Sequence, residues 1–196
     1  ATSVYGDHKG EWVNENSTTK PTSPNGSNRL AAENTWKKLS NKHKYPLQIF
    51  RLAGIYSNEF NILKRLQTGK LQIVDKKNHF FSRIHVEDIA NILFKSLHNF
   101  KNNEIYNICD DKPASQIEVA AYGAKLLKIE KPNSVKLEEL ESEMLQNFYK
   151  DSKKVDNKKM KAFFKYDLKY PSYEEGLNNI FYLSLIHISE PTRQKP

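Results

Sequence analysis

The stretch Thr2-Ser3-Val4-Tyr5-Gly6, followed downstream by Pro24-Asn25-Gly26-Ser27-Asn28-Arg29-Leu30-Ala31-Ala32-Glu33, decides how this chain is read. Thr2–Tyr5 reads as a short strand. Asp7–Ser27 reads as a long polar loop punctuated by Pro21, Pro24, Asn25 and Gly26. Arg29–Lys44 is expected to be helical, with Leu30, Trp36 and Leu39 near one side. Working outward, Pro46 separates that helix from a strand, Leu47–Ala53. Asn58 is placed to cap a helix over Glu59–Thr68, which ends at Gly69.

Two short strands, Leu71–Asp75 and Phe80–Val86, come next. The helix Glu87–Phe100 carries an apolar stripe of Ile89, Ala90, Leu93, Phe94 and Leu97. Glu104–Cys109 is the next strand. Ser115-Gln116-Ile117-Glu118 is a capping box that opens a helix to about Leu127. Further helices are expected over Lys136–Lys150 and Val155–Phe164. Ser172-Tyr173-Glu174-Glu175 reads as a second capping box, opening the last helix. Strands alternating with helices of this kind argue for an α/β fold with a parallel sheet. No glycine-rich turn of the G-x-G-x-x-G kind follows any strand, and the chain has only seven glycines.

These segments resemble, in order, landmarks of the extended short-chain dehydrogenase/reductases, the family of NAD-dependent sugar epimerases and dehydratases. The opening stretch resembles S-S-x-x-V-Y-G followed by P-x-x-x-Y-x-x-x-K-x-x-x-E. Phe50-Arg51-Leu52-Ala53-Gly54-Ile55-Tyr56 resembles the strand that passes beneath the nicotinamide. Ile84-His85-Val86-Glu87-Asp88-Ile89-Ala90 resembles the h-H-V-x-D-h-A element, and Ile105-Tyr106-Asn107-Ile108 a Y-N-h strand. Tyr170-Pro171-Ser172 with Glu175-Gly176-Leu177 resembles the closing helix. Val4 to Glu15 is similar to V-Y-G-D-x-x-G-E-W-V-[DN]-E, found in an atypical bacterial subgroup that lacks the usual catalytic residues.

The resemblance identifies the chain as a C-terminal fragment of an atypical member without the Y-x-x-x-K pair. It implies an α/β fold: a partial Rossmann-type parallel sheet plus a small α/β substrate-binding lobe. Residues 1–57 would be the C-terminal part of the NAD(P)-binding domain. Residues 58–182 would be mostly the substrate lobe, with strand 80–86 and helix 87–100 returning to the Rossmann domain. Residues 183–196 are read as a non-native tail, since Ser184–Arg193 resembles a translated adapter sequence. The glycine-rich pyrophosphate turn of the family would lie ahead of Ala1, so roughly the first hundred residues are expected to be missing.

Carried over residue by residue, the resemblance puts Ala1, Asn25 and Arg29 where the family has Ser, Tyr and Lys. Asn25 has no titrating proton, and Arg29 stays charged near neutral pH. No catalytic residue is therefore assigned, and His85 is carried as a candidate acid/base because an imidazole suits proton transfer. The resemblance implies cofactor contacts from Arg29, Leu52 and Ile55 and substrate contacts from Gly54 and Arg83. The family's phosphate-gripping arginine falls at Phe81, two residues before Arg83. The implied cofactor is NAD or NADP.

Composition bounds the rest. The net charge of +8 suggests an anionic partner, but it is concentrated over residues 150–170, with eight lysines against three aspartates. A lysine-only patch suits a solvated face better than base reading, so nucleic acid is not the expected partner. The single cysteine, Cys109, excludes an internal disulfide. No His spacing suggests a metal site. No apolar run is long enough for a membrane span, and a cytoplasmic location is expected. The partners expected are a small-molecule substrate or nucleotide, with a homodimer as the oligomeric expectation. Three readings remain open: an NAD(P)-dependent epimerase/dehydratase-like oxidoreductase without Ser-Tyr-Lys catalysis, a non-catalytic NAD(P)-binding sensor or assembly protein, and a basic nucleic-acid binder.

Overall fold

The computed structural model describes residues 1–69, 71–140 and 143–189. Its strands are β1 (Trp12–Val13), β2 (Gln48–Leu52), β3 (Gly54–Tyr56), β4 (Ile73–Val74), β5 (Arg83–His85), β6 (Glu104–Ile108), β7 (Ser134–Val135) and β8 (Lys154–Val155). Its α-helices are α1 (Pro24–His43), α2 (Ile62–Gln67), α3 (Val86–His98), α4 (Gln116–Leu127), α5 (Glu143–Phe148), α6 (Lys158–Phe164) and α7 (Tyr173–Ser189). All strand pairings between these elements are parallel: β1 with β8, β2 with β6, β3 with β5 and β4 with β7. The α/β class with a parallel sheet is thus the observed one.

One crossing shapes the molecule. The chain Gln48–Tyr56 runs beside β6 as far as Leu52, which pairs with Ile108. At Ala53 it changes partner. The Ala53 N–H still reaches Ile108 O at 3.0 Å, but the Gly54 N–H reaches Ser82 O at 3.1 Å. From there β3 runs beside β5, with Ile55 opposite Ile84. The Asp110 N–H, donating to Arg83 O at 2.7 Å, ties the end of β6 back to β5. A strand that leaves one neighbour for another opens a crevice at the fork, where α/β sheets commonly bind ligands.

Two apolar cores lie on either side of this fork. One gathers Val4, Tyr5, Ile84, Tyr106, Ile108 and Phe164 around β2 and β6. The other gathers Ile62, Leu63, Leu66, Val119, Tyr173 and Leu177 between α2, α4 and α7. Within the second core, a Cβ on Gly123 would stand 2.9 Å from Leu66 and 3.1 Å from Leu63, so α2 is seated directly on the α4 backbone.

Several elements differ from the sequence reading. Thr2–Tyr5 is a turn of 3₁₀ helix rather than a strand. Helix α1 starts at Pro24, five residues earlier than expected, because Ser23 caps it by accepting from the Gly26 N–H at 3.2 Å. Proline at the first helical position is favourable there. Asn61, not Asn58, caps α2, accepting from the Lys64 N–H at 3.1 Å. Lys136–Lys150 holds a 3₁₀ turn and the short α5 instead of one helix. Val155 belongs to β8, and α6 begins only at Lys158. The capping box at Ser115 is present, with Glu118 accepting from the Ser115 N–H at 2.7 Å. Helix α7 runs through the start of the stretch read as a tail, and residues 190–196 lie outside the described residues.

Candidate functional site

The fork opens into a cleft of about 1170 Å³ between α1, β3, α2, the start of β5 and α7. Its first wall is built by the 3₁₀ turn and α1. Gly6 ends that turn at φ 72°, and a Cβ there would stand 1.7 Å from Lys20 O, so the turn requires glycine. The turn contributes Ala1, Thr2 and Ser3 to the lining, and α1 contributes Asn25, Asn28, Arg29 and Ala32. Asn25 and Arg29 are four apart on one helix and therefore share a face. The early start of α1 makes them neighbours, whereas the turn residues around Asn25 predict a loop there.

Below this wall a buried network fixes the register of α1. Glu33, one turn beyond Arg29, takes a forked pair from Arg51 on β2. The Nη2–Oε2 distance is 2.8 Å, and the two side chains are 8% and 3% exposed. The guanidinium carbon sits 4.8 Å above the Tyr5 ring. The Tyr5 hydroxyl donates to Asn107 Oδ1 at 2.7 Å, and the Asn107 amide donates to Asp156 O at 3.2 Å. The network links α1, β2, the 3₁₀ turn and β6, so the faces of Asn25 and Arg29 are set from beneath.

The opposite wall comes from β3, α2, the β5 approach, the α5–β8 connection and α7. Gly54, Ile55 and Tyr56 lie at its floor. Arg83 lines it half-buried, with its guanidinium donating to Phe81 O, Ala114 O and Gln116 Oε1, each at 3.0 Å. Burial lowers the Arg83 pKa, with Asp110 opposing. Phe81 and Phe148 stack face to face, their centroids 4.0 Å apart. Phe60 and Phe148, 70% and 48% exposed, present their rings at the same cleft.

Lys153 and Asp151 complete this wall. The lysine, 11% exposed, donates to Gly6 O at 2.8 Å and lies 3.4 Å from Asp151. Asp151 also accepts from the Thr22 hydroxyl. Burial lowers the Lys153 pKa, with Asp151 opposing. The lysine patch is thus divided. Lys153 turns into the cleft, while Lys159, Lys161 and Lys169 pair with Glu104, Asp111 and Glu87 at 2.6, 2.8 and 2.6 Å. Pattern reading missed Lys153, Arg65 and the phenylalanines as cleft residues. The only available signal was a polar residue ahead of a capped helix or strand, which is common on any surface.

The remaining candidates fall as follows. Arg29, Ile55, Gly54 and Arg83 all line the cleft. Leu52 does not; it packs on the β2–β6 core. His85 does not line it either and is 1% exposed. Its Nδ1 accepts from the Glu87 N–H at 3.2 Å and caps α3. Its ring lies against Tyr56 and Tyr170, with centroids 5.1 and 4.1 Å away. Burial lowers its pKa, which keeps the ring neutral as a cap. Tyr56 has its pKa raised by burial, with Asp110 and Asp88 adding to it. A Cβ on Gly176 would stand 2.1 Å from the Tyr56 hydroxyl, so α7 closes directly over that ring. Cys109 is buried, donates to Val155 O at 3.2 Å, and has its pKa pushed up by burial. Among the described residues no group of His, Cys, Asp and Glu is arranged to hold a metal ion. No described helix is long and apolar enough to cross a membrane.

A model of the NAD dependent epimerase/dehydratase family matches residues 1–109. No curated protein matches the chain. Among solved structures, a functionally unknown conserved protein from Silicibacter pomeroyi is 38% identical, with a TM-score of 0.86 over 92% of this chain and 63% of that one. A dTDP-glucose 4,6-dehydratase from Bacillus anthracis, in complex with NAD, is 20% identical, with a TM-score of 0.75 over 94% of this chain and 59% of that one. A UDP-glucuronic acid 4-epimerase from Bacillus cereus, also with NAD, is 19% identical, with a TM-score of 0.74 over 97% of this chain and 60% of that one. The chain therefore spans about three fifths of the length of the structures it resembles.

Proposed function

The chain belongs to the NAD-dependent epimerase/dehydratase family, and on that premise we propose that it forms the catalytic-face half of an NAD(P)-binding, oxidoreductase- or epimerase-like protein of the extended short-chain dehydrogenase/reductase type. The observation that carries this reading is the cleft itself. Ala1, the pair Asn25 and Arg29, and the pair Gly54 and Ile55 come from three separate stretches of the sequence and line one crevice at the sheet fork. Arg29 would contact the nicotinamide ribose or its phosphate as a fixed cation, and Ile55 would lie against the ring. Asn25 would orient a ligand by donating and accepting through its amide without moving a proton.

In this reading NAD or NADP supplies hydride chemistry when bound. The residues of this chain supply orientation and positive charge. Residues 1–57 would serve the cofactor and 58–182 mostly the substrate, with β5 and α3 packed back on the cofactor side, as Ile84, Ile89 and Ile92 support by joining the β2–β6 core.

A second reading, an NAD(P)-binding sensor or assembly protein without turnover, is favoured by the side chains at the catalytic places. The side chains of Ala1 and Asn25 carry no titrating group, and His85 is committed to capping α3.

Titrating the full-length protein with NAD(H) and NADP(H) by isothermal calorimetry tests both. No nicotinamide binding ends both readings. Binding with hydride exchange on a panel of sugars and small carbonyls selects the first, and binding with no exchange selects the second. Asn25→Tyr with Arg29→Lys would raise turnover if these positions govern the chemistry.

A further inference from the structure

The substrate side of the cleft has an uneven distribution of charge. Among the described residues lining the cleft as a whole, the positive side chains are Arg29, Arg65, Arg83 and Lys153, against the single carboxylate of Asp151. Three of these five are engaged: Arg83 by its three oxygen acceptors, and Lys153 by Gly6 O and Asp151. Arg29 stands on the cofactor wall. On the substrate wall that leaves Arg65, whose guanidinium makes no hydrogen bond or ion pair among the described residues.

Arg65 is held in place. It stands on α2, whose Ile62, Leu63 and Leu66 are seated on α4, and whose first turn is capped by Asn61. It is half-buried and near Tyr149, whose hydroxyl pKa burial raises while the Val74 N–H and the Arg65 charge oppose the rise; the Tyr149 ring is edge-on to Phe148. The exposed rings of Phe60 and Phe148 line the same cleft. Exposed aromatic rings and one unpaired fork of donors lining the same concave site match a flat apolar body carrying an anionic group.

From this juxtaposition we propose that the substrate wall binds a monoanionic carboxylate with a flat apolar or aromatic body, its carboxylate on Arg65 and its body against Phe60 and Phe148. One free guanidinium matches one carboxylate; a diphosphate would leave much of its charge unmatched on this wall. The inference names the substrate class of the site proposed above and so rests on that reading.

The test is calorimetric titration of the full-length protein, with and without NAD, using 3-phenylpropionate, its neutral amide and UDP-glucose. The acid is expected to bind, and the amide at least about tenfold more weakly, the loss of one charge-assisted pair. Arg65→Gln should weaken the acid by about the same factor and leave the amide unchanged, while Phe148→Ala should weaken both. Circular dichroism of each variant separates lost binding from lost folding, and Arg65→Lys provides a milder change at the same place. Acid affinity equal to that of the amide, or unmoved by Arg65→Gln, overturns the proposal. So does UDP-glucose binding more tightly than the acid in both wild type and Arg65→Gln. Acid binding without NAD binding would defeat the cofactor reading and leave this wall's chemistry standing; NAD binding without acid binding would do the reverse.

Discussion

Arg51 and Arg65 belong to two regions of one molecule and show two uses of the same side chain. Arg51 lies under α1, 3% exposed, forked onto Glu33 and stacked on Tyr5. Arg65 lies on the cleft wall with no partner among the described residues. The first region is a buried polar network packed against an apolar core. The second is an aromatic cleft wall on which the Arg65 guanidinium makes no hydrogen bond or ion pair among the described residues. A buried charge must find a partner within the fold, because burial without one is costly. A half-exposed charge in a cleft stays hydrated and available. The difference separates side chains that fix the scaffold from those left for a ligand.

The comparison is most sharply tested by breaking the first region. Glu33→Gln leaves the Arg51 charge buried with a weaker acceptor and should cost about 3–5 kcal/mol of stability, read from urea unfolding of the full-length protein. A cost below about 1 kcal/mol would mean that the pair does not carry the register of α1.

A second effect, smaller per unit of pH, is expected at Asp110, beside the fork. Burial pushes its carboxyl up to about 8, against the pull of Arg83. The folded state therefore keeps a proton that the unfolded chain loses near its ordinary value of 3.8. Stability should fall as pH rises between these values, by at most about 1.4 kcal/mol per pH unit from this group. Asp110→Asn should remove that slope, and melting temperatures from pH 4 to pH 9 would show it. An unchanged slope would assign the pH dependence to other groups.

The smallest expected effect on stability is at Arg65. Arg65→Gln should shift stability by no more than about 0.5 kcal/mol, since the side chain holds nothing in the fold. A loss comparable to that of Glu33→Gln would erase the distinction between the two regions.

Several features were legible in local sequence. The Ser115–Glu118 capping box, the apolar stripe that makes α3, and the alternation of strand and helix are each set by neighbours a few residues apart. Where the reading went wrong, tertiary contacts outweighed local chemistry. Pro24-Asn25-Gly26 carries turn residues, yet the Ser23 cap and close packing on the 3₁₀ turn draw it into α1. A Cβ on Gly26 would stand only 2.8 Å from Ser3 O. Thr2–Tyr5 reads as a strand by composition but ends in the Gly6 turn and packs under α1.

The sequence by itself determined the α/β class, the family, and the substitution of Ala1, Asn25 and Arg29 at the expected catalytic places. These rest on residue identity and order. Only the tertiary structure decided which charges are used up and which stay available. Arg51 meets Glu33 across 18 positions, and Lys153 meets Gly6 across 147. Arg65 lines the same cleft as Phe148, carried there by α2, which is docked on α4. Such pairings join residues far apart in the chain, and no local pattern encodes them.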